Sequence, residues 1–290
     1  MKKIILFLSL ILFTTTLQAQ KDTTENSLLW EISGNGIEKP SYIFGTIHLI
    51  PKDDYFFTDV MKEKFNTCEK LVLEIDINLS LTEQINAAKQ MMLPAGKTLY
   101  DYMSKKDSAR FKNYLTDTLK ISKSTYNKIL KIKPLFGSSL IISELVGKTK
   151  TYEQELNKQA KKNRMKISGL ETLQFQMDLV NNISIEDQIK MLFDGEFSGN
   201  PSETYNEMVE VYKRQDLNKL KELIDADDST AKLGDKFLSD RNRDWISKIE
   251  KLVTETSVFI AVGAGHLAGD NGILNLLKEK GYELKPVKTN

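Results

Sequence analysis

Cysteine occurs once in the 290 residues, histidine twice and proline six times. The lone Cys68 cannot close an internal disulfide. Its place at the end of an amphipathic run marks it as a small buried residue rather than a nucleophile. Neither charge is in excess: 41 Lys and Arg stand against 40 Asp and Glu, so the basic bias of a nucleic-acid binder is missing. After residue 20 no apolar run approaches the ~20 residues of a membrane span. Several catalytic signatures are absent as well. There is no His-Glu-x-x-His helix, phosphate loop or Gly-x-Gly-x-x-Gly turn, and Gly137-Ser138-Ser139 lacks the Gly-x-Ser-x-Gly elbow and a strand before it.

What is present begins with an export-like start. Lys2 and Lys3 supply the positive end, Ile4 to Phe13 the apolar stretch, and Leu17-Gln18-Ala19 a small residue for cleavage. Residues 1–20 therefore read as a signal peptide, with a retained anchor as the alternative, and the protein is expected to be secreted or periplasmic. No cysteine follows the cleavage point to carry a lipid. The remaining 21–290 has the length and the 40% apolar, 28% charged composition of a single globular domain.

Two segments share one pattern and use both histidines: Tyr42 to Leu49, with Gly45-x-x-His48, and Val258 to Leu267, with Gly263-x-x-His266. In each, a β-prone apolar run stops at glycine, which permits a sharp turn or a close backbone approach. The histidine then projects beyond the carboxyl end of a strand, the edge where α/β sheets bind ligands. Histidine there serves as metal ligand or general base. A buried, hydrogen-bonded histidine after a turn is the plainer reading of either one alone. The matched pair argues for one constellation joined by folding.

Carboxylates fall at comparable places. Glu74 interrupts the apolar strand Leu71 to Asp76, where an unpartnered charge would cost several kcal/mol and so needs a cation or metal. Asp76 is the rival, or simply a turn residue. Glu171 follows a short strand, Met165 to Ser168, at the start of a helix, which suits a ligand, a base, an orienting partner or a helix-start acid. Arg241 could pair a buried carboxylate or steady negative charge on a substrate.

These segments together resemble the TraB/GumN family, which includes TIKI-type proteases and is more distantly similar to erythromycin esterases and ChaN-like haem-binding proteins. The carriers are the two Gly-x-x-His-Leu motifs, the acidic residue in the third strand, Gly169-Leu170-Glu171-Thr172 with Gln176, and Asp240-Arg241-Asn242. The family usually has Glu where this chain has Asp240, so any role needing the longer side chain is open.

The expected fold is α/β. Strands near Tyr42, Leu71, Lys166, Val258 and Leu284 form a central, largely parallel sheet flanked by helices, and the mostly helical middle, about 81–147 and 185–252, forms a cap. The expected function is a metal-dependent hydrolase acting on peptides or proteins, with His48, His266 and Glu74 around a divalent ion such as Zn²⁺, Mn²⁺ or Co²⁺. Glu74 could instead be the base, Glu171 the base or an orienting partner, and Arg241 the charge stabiliser. The alternatives are a metal-free, esterase-like hydrolase with a histidine base, as the esterase resemblance implies, and a non-catalytic peptide- or haem-binding protein.

Overall fold

The computed structural model describes residues 26–194, 200–226 and 235–289. The expected signal peptide over 1–20 lies outside them, as do residues 195–199 and 227–234 of the helical stretch expected over about 185–252. The strands are β1 (Leu29–Gly34), β2 (Ser41–Thr46), β3 (Ile50–Pro51), β4 (Lys70–Ile75), β5 (Thr149–Lys150), β6 (Lys166–Glu171), β7 (Val258–Gly263) and β8 (Tyr282–Pro286). Six form one sheet in the order β6-β4-β7-β2-β1-β8, while β3 and β5 pair as a separate two-residue ribbon.

The pairs β2–β7, β7–β4 and β4–β6 are parallel, and β1 runs antiparallel to both of its neighbours. The sheet is thus parallel apart from β1. The central strands read as continuous apolar runs because both faces are covered: every residue of β2 is buried, as is β7 from Val258 to Val262. The expected β1–β2 hairpin is present, turned by Gly34 (φ 77°), Asn35 (φ 47°) and Gly36 (φ 80°). Although β4 is the next strand of this sheet after β2 in the chain, β7 lies between them. The late strand β7 is apolar on both faces and takes the most covered position. The strand expected over Met165 to Ser168 also runs longer, so that Glu171 is its last residue, paired with Ile75.

The helices are α1 (Asp59–Asn66), α2 (Leu81–Met91), α3 (Lys105–Asn113), α4 (Lys123–Ile129), α5 (Pro134–Val146), α6 (Tyr152–Lys162), α7 (Leu173–Asn181), α8 (Ile185–Asp194), α9 (Pro201–Lys213), α10 (Leu217–Asp225), α11 (Asp240–Glu255) and α12 (Ile273–Glu279). Their starts carry local signals. Ser80 and Glu83 close a capping box on α2, Thr151 and Thr172 cap α6 and α7, and α5 begins at Pro134 and stops at Gly147 with φ 82°. Among the described residues no helix is long and apolar enough to cross a membrane.

Two cores divide the helices. The larger joins the sheet to α1, α6, α9, α10, α11 and α12, and holds an aromatic cluster in which Phe44 meets Tyr152 at 5.3 Å and Phe65 meets Phe259 at 5.0 Å between ring centroids. The smaller is built by Leu99, Phe111, Leu115, Ile129, Ile141, Ile189 and Leu192. The second helical stretch therefore splits. Its first helix, α8, joins the smaller core, while α9, α10 and α11 return to the sheet.

Gly45 shows why β2 needs a glycine. A Cβ there would lie 2.9 Å from Leu267 Cδ1 and 3.1 Å from Ala264 Cα, in the turn that carries His266. Neither Gly45 nor Gly263 has a positive φ, so close approach is the reason and the left-handed backbone is not. Gly45→Ala should lose about 1–3 kcal/mol from overpacking. Gly137→Ala, inside α5 with its nearest neighbour at 3.8 Å, should instead gain up to about 1 kcal/mol. Urea unfolding of the two variants checks both signs.

Candidate functional site

Parallel pairing puts the carboxyl ends of β2, β7, β4 and β6 on one rim. From it project His48 just beyond β2, Glu74 near the end of β4, Glu171 at the end of β6, and His266 in a 3₁₀ turn after β7. The helix α11 crosses this rim and contributes Arg241, Asn242 and Trp245. All five predicted side chains, His48, Glu74, Glu171, Arg241 and His266, belong to this one region.

Arg241 is the hub. Its Nη2 donates to Glu74 Oε2 and to Glu171 Oε1, each at 2.6 Å. Its Nε donates to Glu171 Oε1 at 3.1 Å, and its Nη1 donates to the Phe237 carbonyl at 2.9 Å and to His266 Nε2 at 3.2 Å. All five guanidinium N–H bonds are engaged, so none is left to steady a substrate oxyanion. Glu171 is equally occupied, since it also accepts from the Trp245 indole at 3.0 Å and from Gln176 Nε2 at 2.8 Å. Both act by holding their neighbours. The Trp245 ring lies 4.7 Å from the guanidinium carbon and 4.6 Å from the His266 ring, roofing the network.

Glu74 divides its two oxygens between different partners. Its Oε2 faces Arg241 and Gln176 Nε2 (3.1 Å), while its Oε1 accepts the Gly263 N–H at 2.8 Å and stands 3.8 Å from His266 Nε2. Burial alone would raise its carboxyl, but the charges of His266, His48 and Arg241, together with the Gly263 N–H, hold it at about 2. Asp76, the rival carboxylate, accepts the Asn78 N–H at 2.9 Å as a turn residue does.

His266 has a defined tautomer. Asn242 Nδ2 donates to the carbonyls of His266 (3.2 Å) and Asn271 (2.7 Å), which orients its amide. Its Oδ1 must therefore accept from His266 Nδ1 at 2.6 Å, leaving a lone pair on Nε2. Burial pushes the ring down to about 4, so it is neutral at ordinary pH. His48 differs. Its side chain is 76% exposed, and Nδ1 lies 3.7 Å from Glu153 Oε1, itself held by the Thr46 hydroxyl at 2.9 Å. The contact with Glu153 outweighs desolvation and, with the charge of Glu74, lifts His48 to about 9.

Sequence reasoning missed Glu153. It sits in the first turn of the charged helix α6, where an acid is ordinarily explained by the helix dipole. Its only available signal was that the strand pair β3–β5 delivers the start of α6 to the residues after β2.

Glu74, His48 and Glu153 line a cleft of about 700 Å³, walled by α6, the loop after β4, Ser139 of α5 and Gln176 of α7. Its fit to a divalent ion is partial. His266 Nε2 and Glu74 Oε1 are deprotonated and close to the spacing of two ligands on one ion. Against that, Arg241 donates to the same Nε2, and His48 turns to Glu153. Among the described residues no three His, Cys, Asp or Glu side chains gather into a set that could hold a metal.

A family model described as the TraB/PrgY/gumN family matches residues 28–286. No curated protein and no solved structure matches the chain.

The ionisation pattern sets how stability follows pH. Glu74 lies below its ordinary 4.5, so its contribution is present above that pH and drains as pH falls toward 2. His266 resists protonation down to about 4, whereas the unfolded chain takes up that proton near 6.5, so stability also falls through this window. His48 acts oppositely, contributing below 6.5 and losing its contribution as pH rises through 9, weakly because the ring is exposed. In chelator, the urea-unfolding free energy should decline from pH 6.5 downward. Glu74→Gln should flatten the limb between 4.5 and 2, and His266→Gln the limb between 6.5 and 4. Slopes unchanged in both variants would contradict this assignment.

Proposed function

The chain belongs to the TraB/PrgY/gumN family, and from that premise we propose that it is a metal-dependent hydrolase acting on peptides at the Glu74–His266 end of its cleft. The observation that carries the reading is the 3.8 Å separation of Glu74 Oε1 from the buried His266 Nε2, with Glu74 itself lining a solvent-open cleft. No side chain there is poised to accept a proton at neutral pH. Glu74 is held at about 2, His266 at about 4, and His48 is already charged, with a value near 9. Bound at His266 and Glu74, with His48 as a third donor, a Zn²⁺, Mn²⁺ or Co²⁺ ion would supply water activation and polarisation of the scissile carbonyl.

The remaining work belongs to the chain. Asn242 keeps the His266 lone pair on Nε2, the nitrogen nearest Glu74, and Arg241, fixed by Glu171 and Trp245, holds Glu74 ionised and in place. If it stays outside the coordination, His48 is an exposed imidazolium beside Glu153 that can donate a proton to a leaving amine or hold a substrate carbonyl. The apolar Ile75, Ile77 and Leu79 beside polar α6 side chains suit an extended peptide. The export-like start, Lys2 to Ala19, supports action outside the cytoplasm.

One observation favours a second reading. Arg241 Nη1 already donates to His266 Nε2 at 3.2 Å, taking the lone pair that an ion would need. A metal-free hydrolase would then use His48, oriented by Glu153, as its base, and its activity would climb with pH toward about 9.

Elemental analysis and a peptide-library digest, with and without chelator, test the proposal. Chelation should stop cleavage and added metal should restore it, while Glu74→Gln and His266→Ala should each lower kcat by at least about 100-fold. Cleavage that persists in chelator but disappears in His48→Ala would establish the metal-free reading instead. Metal titration against pH gives a finer result. If His48 must lose its proton to bind, affinity rises about tenfold per pH unit from 6.5 to 9. A flat profile there would leave His48 outside the coordination.

A further inference from the structure

The helix α6 presents Gln154, Asn157 and Lys161 to the cleft, at spacings of three and four residues that place them on one helical face. Asn157 is fixed by reciprocal amide bonds with Asn78, at 3.0 and 3.2 Å, so the middle of this wall is neutral and already paired. The other charges lining the cleft are matched: Glu153 faces His48, and Glu74 faces Arg241. Lys161 differs. Its side chain is exposed and, among the described residues, it makes no ion pair. It is the one uncompensated charge on the lining.

Its distance from the chemistry follows from the helix. Eight residues separate Glu153 from Lys161, about 12 Å along the axis at 1.5 Å per residue. An extended peptide covers that length in about three to four residues. We propose that Lys161 is an anion subsite that reads a carboxylate on the substrate, carried three to four residues along from the bond that lies beside Glu153. The carboxylate is either an Asp or Glu side chain or the chain terminus. This rests on the peptide-hydrolase reading and adds a specificity residue to it. Lys161 also lies in the last turn of α6, where a cation favours the helix end, so thermal stability must be followed separately from recognition.

The test uses amide-capped heptapeptides with a single Asp moved through every position, the matching Asn set, and a free-acid form of one Asn peptide. Wild type, Lys161→Gln and Lys161→Glu are compared by steady-state kinetics. Asp three or four residues from the cleaved bond should lower KM about three- to tenfold relative to Asn, with kcat unchanged. The advantage should shrink with added salt and vanish in Lys161→Gln. Lys161→Glu should reverse it, preferring Asn over Asp at that position. A gain confined to the free-acid peptide assigns the subsite to the chain terminus, and a gain with internal Asp assigns it to a side chain. If peptides are cleaved but Asp confers nothing at any position and the variants match wild type, the subsite is overturned while the hydrolase stands. If nothing is cleaved, the hydrolase reading fails, and fluorescence anisotropy of the same labelled peptides decides the subsite. Position-dependent Asp binding that Lys161→Gln removes supports it, and its absence refutes it.

Discussion

The site depends on one cation buried between two carboxylates. The Arg241 guanidinium bridges Glu74 and Glu171 at 2.6 Å each, from a helix that crosses the ends of the strands bearing them. A buried ion pair adds little net stability over an apolar replacement, because desolvation offsets the attraction. Removing Arg241 is a different matter, costing about 3–5 kcal/mol, since two carboxylates are left bare in the interior. The network is therefore better understood as a device for orientation. It keeps Glu74 ionised, aims it at His266 and fixes α11 against the sheet.

That arrangement divides the site into a rigid inner part and an open outer part. Arg241, Glu171, Asn242 and His266 are buried and fully engaged with one another. His48 and Glu153 stand across the cleft, reachable by solvent and by substrate. Glu74 belongs to both parts, bonded inward to Arg241 and Gly263 while lining the cleft. The smaller helical core lies on the far side, and through Ser139 of α5 it reaches the cleft wall.

Much of this was legible in the chain, for physical reasons. Strands buried on both faces declare themselves as unbroken apolar runs, and an acid within such a run, as at Glu74, must find a partner. The two Gly-x-x-His segments fall on neighbouring parallel strands, which is why their histidines reach the same rim. Three things were hidden. Strand order depends on tertiary packing, so β7 could not be placed between β4 and β2 from local pattern. Gly45 is required by Ala264 and Leu267, residues more than two hundred positions away, and no local turn signal reveals that. Glu153 looked like any acid at a helix start, because its contact with His48 exists only after the β3–β5 ribbon has formed.

The way the guanidinium is shared also bears on how such a protein can vary over time. Losing Arg241 strands two carboxylates in the interior, whereas losing Glu74 or Glu171 alone leaves the guanidinium paired with the other, so the three positions are not equally free to change. Drift at Arg241 would need both carboxylates to change with it, while either carboxylate could be lost with the ion pair to the other kept. A lineage that abandoned the chemistry altogether would still be held to Arg241 by folding, so the persistence of that arginine in a sequence would not by itself testify to an active enzyme.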